Sequence, residues 1–303
     1  MATETTRGTL PQISGVASRR PLFVRPLPWY AYCGVLLNGL AWISSWARIG
    51  PWPYTFFPLW LGFILLLDGL NVARTGTSPL KRGVGRFVLL FVYSSPFWWV
   101  FEALNLPVQN WHYHFDHPYS LLAYIAITSL DFSTVLPAVM ELVELFTSFR
   151  PLRPLLDPLD PGPVASRRTV LLFVALGIVM LVLPFLLPHY AFGLLWLCLI
   201  FLLDPINHLA RRKSALGHLL ARDWRFFVAI PLAALCCGFF WEMWNSRALP
   251  GWWYTVPLVD AAPHLFAMPL PGYLGYLPFG IELFVMYQFA LLLTRQRRDA
   301  LTI

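Results

Sequence analysis

The stretch Asp68-Gly-Leu-Asn71 returns in the second half of the chain as Asp204-Pro-Ile-Asn207. Three further motifs also occur twice: Glu102-Ala-Leu-Asn105 with Glu242-Met-Trp-Asn245, Trp111-His-Tyr113 with Trp252-Trp-Tyr254, and Pro137-Ala-Val-Met-Glu141 with Pro278-Phe-Gly-Ile-Glu282. Their order is kept, at offsets of 136, 140, 141 and 141 residues. This pattern predicts two copies of one structural unit.

The composition is typical of a membrane protein. Hydrophobic residues make up 58% of the chain and charged residues only 12%, about half the charge of a soluble domain. The four cysteines lie in apolar segments without metal-ligand spacing, which favours packing roles over a disulfide framework. The net charge of +7 could suggest nucleic acid, but the placement of the basic residues argues against it.

Eight apolar runs are long enough to cross a bilayer. They cover residues 28–47, 54–73, 85–104, 119–148, 169–187, 189–209, 224–245 and 271–294. The fourth run is too long for one straight span, so a tilted or re-entrant piece is expected up to Asp131, followed by the span around Pro137. We therefore expect an all-α polytopic protein of about eight transmembrane helices. Four spans per copy make the two four-helix repeats parallel.

The basic residues predict the orientation. With the N-terminus inside, all of the 22 Lys and Arg except Arg48 and Arg247 fall on the cytoplasmic side. We expect an integral protein of a bacterial inner membrane with both termini in the cytoplasm. The predicted parts are a tail at 1–27, a first repeat at 28–148, a Pro-rich cytoplasmic linker at 149–168, a second repeat at 169–294 and a tail at 295–303.

Acids inside apolar spans are the first candidates for function. Glu102, Glu141, Glu242 and Glu282 can converge in an outer-half cavity between the repeats. Four carboxyls in one apolar region cannot all ionise at low cost, which predicts that some stay protonated near neutral pH. Polar pairs near the cytoplasmic border, roughly 15–20 Å away at 1.5 Å per residue, favour a structural role. They are Asp68 with Asn71 and Asp204 with Asn207.

Two other features of the outer ends have ordinary explanations. The tryptophans collected there could form an interfacial aromatic belt. The run from His112 through His114 to His117 could be considered for metal binding, but its spacing fits no standard site, and we expect no metal. Recognition motifs for nucleotides, zinc proteases and serine hydrolases do not occur in the sequence.

The repeat resembles the lycopene cyclase domain, the membrane unit of heterodimer-type and fungal fused lycopene cyclases of carotenoid biosynthesis. The resemblance is carried by an acid at the inner end of a span, a Trp-acid pair, a Trp-x-aromatic element and a Pro-led helix start with a glutamate. These are matched by Asp68 and Asp204, Trp241-Glu242, Trp111/Tyr113 with Trp252/Tyr254, and Pro137…Glu141 with Pro278…Glu282. The first repeat departs from it with Phe101-Glu102, and both repeats lack a doubled glutamate.

The resemblance implies proton-initiated cyclisation of a carotenoid or other isoprenoid, an intramolecular lyase or isomerase reaction without a cofactor. Glu242 and Glu282 would be the acid/base pair, with Glu102 and Glu141 as their partners in the repeat. The expected substrate-binding residues are Trp241, Trp252, Trp253, Tyr254, Trp111, Tyr113, Asn105 and Asn245. Two alternatives stay open: a transporter or lipid-binding protein with a polar site at the repeat interface, and a non-catalytic membrane subunit.

Overall fold

The computed structural model describes residues 23–157, 160–296 and 298–302. The predicted N-terminal tail up to residue 22, linker residues 158 and 159, and tail positions 297 and 303 lie outside the described residues. The first half contains α1 (Trp29–Ala47), α2 (Phe56–Thr75), α3 (Pro79–Arg82), α4 (Val84–Val108), β1 (Trp111–His114), α5 (Leu121–Phe132) and α6 (Val135–Thr147). The second contains α7 (Arg167–Leu186), α8 (Pro188–Ala191), α9 (Leu195–Leu209), α10 (Ala215–Leu220), α11 (Phe226–Asn245), β2 (Gly251–Tyr254), β3 (His264–Leu265), β4 (Met268–Pro269) and α12 (Tyr276–Leu293).

The chain is an all-α polytopic membrane protein. Seven helical segments among the described residues are long and apolar enough to span a membrane. The eighth predicted span is the helix α1, which is not among the seven because its tryptophans, its tyrosines and Asn38 lower its hydropathy. The long fourth run divides at residues 133–134 into α5 and α6.

Helices α1 and α2 pack closely along their length. Gly62 makes this approach possible, since an added Cβ would lie 2.5 Å from the Asn38 backbone nitrogen and 2.6 Å from the Gly34 carbonyl oxygen. Small residues at such positions let transmembrane backbones come together, where van der Waals packing replaces the hydrophobic effect.

The centre of the bundle is formed by α6 and α12. Residues 135–144 of α6 are all buried, and so is most of α12. Helix α6 packs on α2 and α4 of its own half and on α11 of the other, while α12 packs on α9, α11 and α4. Each half therefore contributes the central helix that the other half packs against.

A two-stranded antiparallel sheet joins the halves, although no strands are predicted from the sequence. Strand β1 pairs with β2 in the register Trp111↔Tyr254, His112↔Trp253 and Tyr113↔Trp252. With the 141-residue offset, Trp111 corresponds to Trp252 and Tyr113 to Tyr254. The register is therefore unchanged when the two repeats are exchanged, and a twofold pseudo-axis would pass between His112 and Trp253.

The acids near the predicted cytoplasmic border lie at the starts of the short helices that follow them. An Asp68 carboxylate oxygen accepts the Leu80 backbone N–H at 2.9 Å, and Asp204 accepts that of Leu216 at 2.7 Å. Leu80 and Leu216 are themselves 136 residues apart. Both halves thus use the same acid to satisfy amides that a helix start leaves unpaired.

Candidate functional site

The main cavity lies between the halves, beside the β1–β2 sheet, and has a volume of about 430 Å³. Its wall is formed by the starts of α2 and α9, Trp98 of α4, the ends of α5 and α11, both strands and the segment that precedes α12. The volume falls within the usual range of small-molecule sites.

Aromatic residues are the largest group in the wall, and many of them are repeat partners of one another. Four pairs line it: Phe56 with Phe192, Trp60 with Trp196, Trp111 with Trp252, and Tyr113 with Tyr254. The contacts cross between the halves. Trp60 packs on Trp241 with ring centroids 5.2 Å apart, and Trp196 packs on Phe101 at 5.4 Å. Since Trp241 and Phe101 are also repeat partners, the two contacts are equivalent.

Glu102 lies directly behind this wall and accepts three hydrogen bonds on its Oε1. The indole N–H groups of Trp98 and Trp111 donate at 2.8 and 3.0 Å, and the Tyr113 hydroxyl donates at 2.6 Å. All three donor rings line the cavity, whereas the Glu102 carboxyl is not part of the wall. The glutamate thus orients the rings that a ligand would contact.

Glu242 holds the same position in the second half. Its Oε1 accepts from the hydroxyls of Tyr254 and Tyr276, both at 2.7 Å, and the Trp252 indole donates to Tyr254 at 2.8 Å. The Glu242 side chain is completely buried, and its Oε2 has no hydrogen-bond partner among the described residues. Each half therefore places a carboxyl behind its aromatic wall.

The strand tyrosines remain protonated at neutral pH. Burial raises the pKa of Tyr113 well above its usual value of 10.0, and the charge of Glu102 raises it further. Burial and then the charge of Glu242 raise the pKa of Tyr254 in the same direction. Both phenols are therefore hydrogen-bond donors to the carboxyls behind them.

The halves differ in the helix that supplies an aromatic donor to the glutamate. The position of Trp98 is taken by Gly238 in the second half, and that of Val135 by Tyr276. A Cβ on Gly238 would lie only 2.5 Å from the Tyr276 ring. The α12 tyrosine thus occupies the space that the α4 tryptophan fills in the first half, and it supplies the corresponding donor to the glutamate.

The other two glutamates do not line the cavity, so the predicted convergence of all four is wrong. Glu141 accepts from the Asn71 side chain at 2.7 Å and lies beside Asp68. It thus belongs to the polar cluster from which we expected it to be separated by 15–20 Å. The Glu282 carboxyl accepts the Leu199 backbone N–H at 3.2 Å. Both residues face α2 or α9 rather than the aromatic wall, which leaves Glu102 and Glu242 next to the cavity.

The remaining expected binding residues divide into two groups. Trp241, Trp252, Tyr254, Trp111, Tyr113 and Asn245 line the cavity. Trp253 does not, because it points to the other face of its strand, is 47% exposed and stacks on His112. Asn105 holds the strand instead, donating from its side chain to the Trp111 carbonyl at 2.8 Å, as Asn245 does for Trp252 at 2.7 Å. Asn207 similarly donates to the Val285 carbonyl at 2.9 Å.

Asp131 is the one carboxyl among the described residues of the cavity wall. It lies near the end of α5, close to the Phe57 backbone N–H. From the sequence, it is identified only as the limit of a tilted or re-entrant piece. The corresponding position in the second half is Gly272, so a search for acids shared by the repeats passes over Asp131. A charged residue inside an apolar run was the available signal.

The three histidines of this run do not line the cavity. His112 forms a 2.8 Å hydrogen bond with Thr255, and His117 forms one of 2.5 Å with Asp116. Within the part of the chain that the structure describes, we find no group of three or more His, Cys, Asp or Glu side chains arranged to hold a metal ion.

Comparison of the chain with known protein families, with curated proteins and with solved structures finds no match. Its function is therefore argued from the site alone.

Proposed function

We propose that this chain is an integral membrane enzyme that isomerises an isoprenoid lipid by proton-initiated cyclisation of one end of the molecule. The observation that carries the proposal is Asp131, a single carboxyl on the wall of a largely apolar cavity rich in aromatic residues. One end of the substrate would lie in the cavity, and the rest of the molecule would extend into the bilayer. A bacterial inner membrane with cytoplasmic termini remains our expectation for the location.

The reaction would begin and end at Asp131. Its carboxyl gives a proton to a C=C bond, which leaves a carbocation. The π electrons of a second C=C bond then form the ring C–C bond. Loss of a proton from the ring carbon to the Asp131 carboxylate completes the step, so substrate and product have the same formula.

The aromatic wall would stabilise the cation. A cation over an aromatic face is attracted by the ring quadrupole, by about 2 kcal/mol or more where water is excluded. Trp98, Trp111 and Tyr113 donate to Glu102, and such hydrogen bonds to a carboxylate push electron density into the donor ring. Glu102 and Glu242 would thus act through the rings. This assignment replaces the Glu242–Glu282 acid/base pair expected from the resemblance.

The test uses the purified protein in lipid nanodiscs with an acyclic carotenoid or polyprenol. Mass spectrometry should find an isomer of identical mass, and in D₂O the isomer should carry one deuterium delivered by Asp131. Asp131→Asn should abolish formation of the isomer while the protein stays folded.

The matched control is Asp116→Asn. Asp116 is a loop acid on the same side of the protein that bonds to His117 and Tyr119 and does not line the cavity. It should keep full activity. A folded protein that forms no isomer but moves a solute into liposomes would support the transporter alternative, and one that binds the lipid unchanged would support a lipid-binding protein.

A further inference from the structure

The segment between β2 and α12 forms one wall of the cavity, and we call its residues 256–271 the flap. Val259 and Met268 of the flap line the cavity. Leu258 and Leu270 are exposed and do not line it. Since residues one or two positions apart lie on opposite sides, a single layer of chain separates the cavity from the outside here.

The outside of the flap faces the bilayer. Phe266 in the β3–β4 turn is 37% exposed and packs on Phe239, with ring centroids 5.7 Å apart. Phe239 is 40% exposed on the membrane-spanning helix α11 and precedes its last residue, Asn245, by six positions, which is about 9 Å along the axis. The tip of the flap therefore lies beside this helix and not above its end. Exposed apolar patches mark protein or membrane contacts, and the depth of this one, with Asp260 as the one charged residue of the flap, favours lipid.

The flap is attached to the bundle at its two ends. Before it, the Thr255 backbone N–H donates to the Asn110 carbonyl at 2.9 Å, and after it the chain enters the buried helix α12. Among the described residues, the hydrogen bonds of the flap itself end within residues 256–275. Its middle can thus shift without breaking a hydrogen bond to a neighbouring helix, which is a property of regions that open locally.

We propose that the flap is a lateral gate, which moves aside to admit an isoprenoid lipid from the bilayer directly into the cavity. The contact between Phe239 and Phe266 holds the closed position. A lipid that enters sideways keeps its apolar chain out of water, whereas entry from the aqueous side would first expose that chain. The isoprenoid nature of the lipid rests on the proposed function, but the route rests on the flap. The predicted orientation places the gate in the outer leaflet.

The first test measures the depth of the flap. An NBD fluorophore is attached to Phe266→Cys in the full chain, in a background without the four native cysteines and in nanodiscs. Lipids that carry a nitroxide high on the acyl chain should quench it, and iodide in the water should not. The matched control is Trp253→Cys, an exposed position on β2, which should show the reverse.

The second test locks the flap with a short bis-maleimide between Phe239→Cys and Phe266→Cys, two exposed positions outside the core. A polyprenol that carries a photoreactive diazirine is then added, and the sample is illuminated after a short incubation. Mass spectrometry measures the label on the cavity peptides that contain Trp60 and Trp252. Locking should reduce this label at least about tenfold, because a closed gate limits entry.

Two controls separate locking from chemical modification. The same double variant treated with N-ethylmaleimide should label like the wild type. A bis-maleimide between Trp46→Cys and Arg247→Cys, whose native side chains are also in contact, leaves the flap free and should not reduce the label.

Quenching of the Phe266→Cys fluorophore by iodide, or equally fast cavity labelling with the flap locked, would overturn the proposal. So would an unlocked protein whose cavity takes up no label. Labelling that the lock prevents, in a protein that forms no isomer, would keep the gate and reject the proposed reaction.

Discussion

At the scale of single residues, the most consequential feature is the carboxyl behind each aromatic wall. Such a carboxyl is costly unless hydrogen bonds compensate for its lost hydration. Glu102 is partly exposed and receives three donors, whereas the fully buried Glu242 receives two phenols on one oxygen. The two sites have the same arrangement, but Glu242 has fewer hydrogen bonds to lose than Glu102.

This difference predicts unequal effects of removing a strand phenol. Tyr254→Phe should lower the free energy of unfolding by about 1.5–3 kcal/mol, because it takes one of two donors from a buried carboxyl. Tyr113→Phe should cost less, since both indole N–H groups still bond to Glu102. Denaturant unfolding in detergent micelles measures both changes. Equal losses, or a larger loss for Tyr113→Phe, would contradict this account.

At the scale of elements, the halves reach the same architecture with different side chains. Helix α4 fills its side of the cavity with Trp98. Helix α11 has Gly238 at the equivalent position, and the Tyr276 ring of α12 fills the space beside it. Packing of this kind couples two helices through one contact. Residues in direct contact are expected to show non-additive effects on stability.

Gly238→Ala should therefore destabilise the protein by about 1–3 kcal/mol, because its Cβ collides with the Tyr276 ring. Tyr276→Val, the residue type found at the equivalent position 135, is itself destabilising because it removes a donor to Glu242, but in its background Gly238→Ala should cost less, because the ring that the Cβ meets is gone. A double-mutant cycle of thermal unfolding measures the coupling. As a control, Gly39→Ala adds a Cβ that meets no atom within 4 Å and should show no coupling to Tyr276→Val. Additive losses for Gly238→Ala and Tyr276→Val would refute the packing argument.

At the scale of the whole molecule, the β1–β2 sheet joins the halves near the pseudo-axis. Paired residues of an antiparallel sheet have Cα atoms roughly 4.5–5.5 Å apart, which is within reach of a disulfide. His112 and Trp253 are such a pair. The cavity would lose part of its wall if this pairing did not form.

Cysteines at both positions should therefore form a disulfide on mild oxidation, in a background without the four native cysteines. A protease site in the linker reveals the product, since the two cleaved halves should stay joined until a reductant is added. The control pairs His112→Cys with Gly251→Cys, which lie diagonally at roughly 7–8 Å and should cross-link poorly. Equal cross-linking of both pairs would show that the register is not the one described.

The orientation in the membrane remains a prediction from charge. The basic loop at residues 211–222 should resist cysteine labelling from outside intact cells and react after permeabilisation. A cysteine replacing exposed Trp253, on the predicted outer side, is the matched positive control. Labelling of the basic loop from the outside would reverse the proposed topology.

The sequence by itself determined the helical membrane architecture and the ordered repeat of polar motifs. Apolar runs in a bilayer must satisfy their backbone groups internally, so length and composition suffice to predict helices. The equivalent contacts of Asp68 and Asp204, and of Glu102 and Glu242, then follow from the repeat. The strands were missed because four-residue segments carry little periodicity.

Only the tertiary structure decided which acid lines the cavity. Helices such as α12 are apolar nearly all round, so no polar face shows which side chains point inward. Glu141 and Glu282 turn toward α2 and α9, while Asp131, which has no partner in the repeat, lies on the cavity wall. The wall itself is built from contacts such as Trp60 with Trp241, which join distant parts of the chain. Such contacts depend on how each helix is rotated in the bundle, and neither hydropathy nor the repeat specifies that rotation.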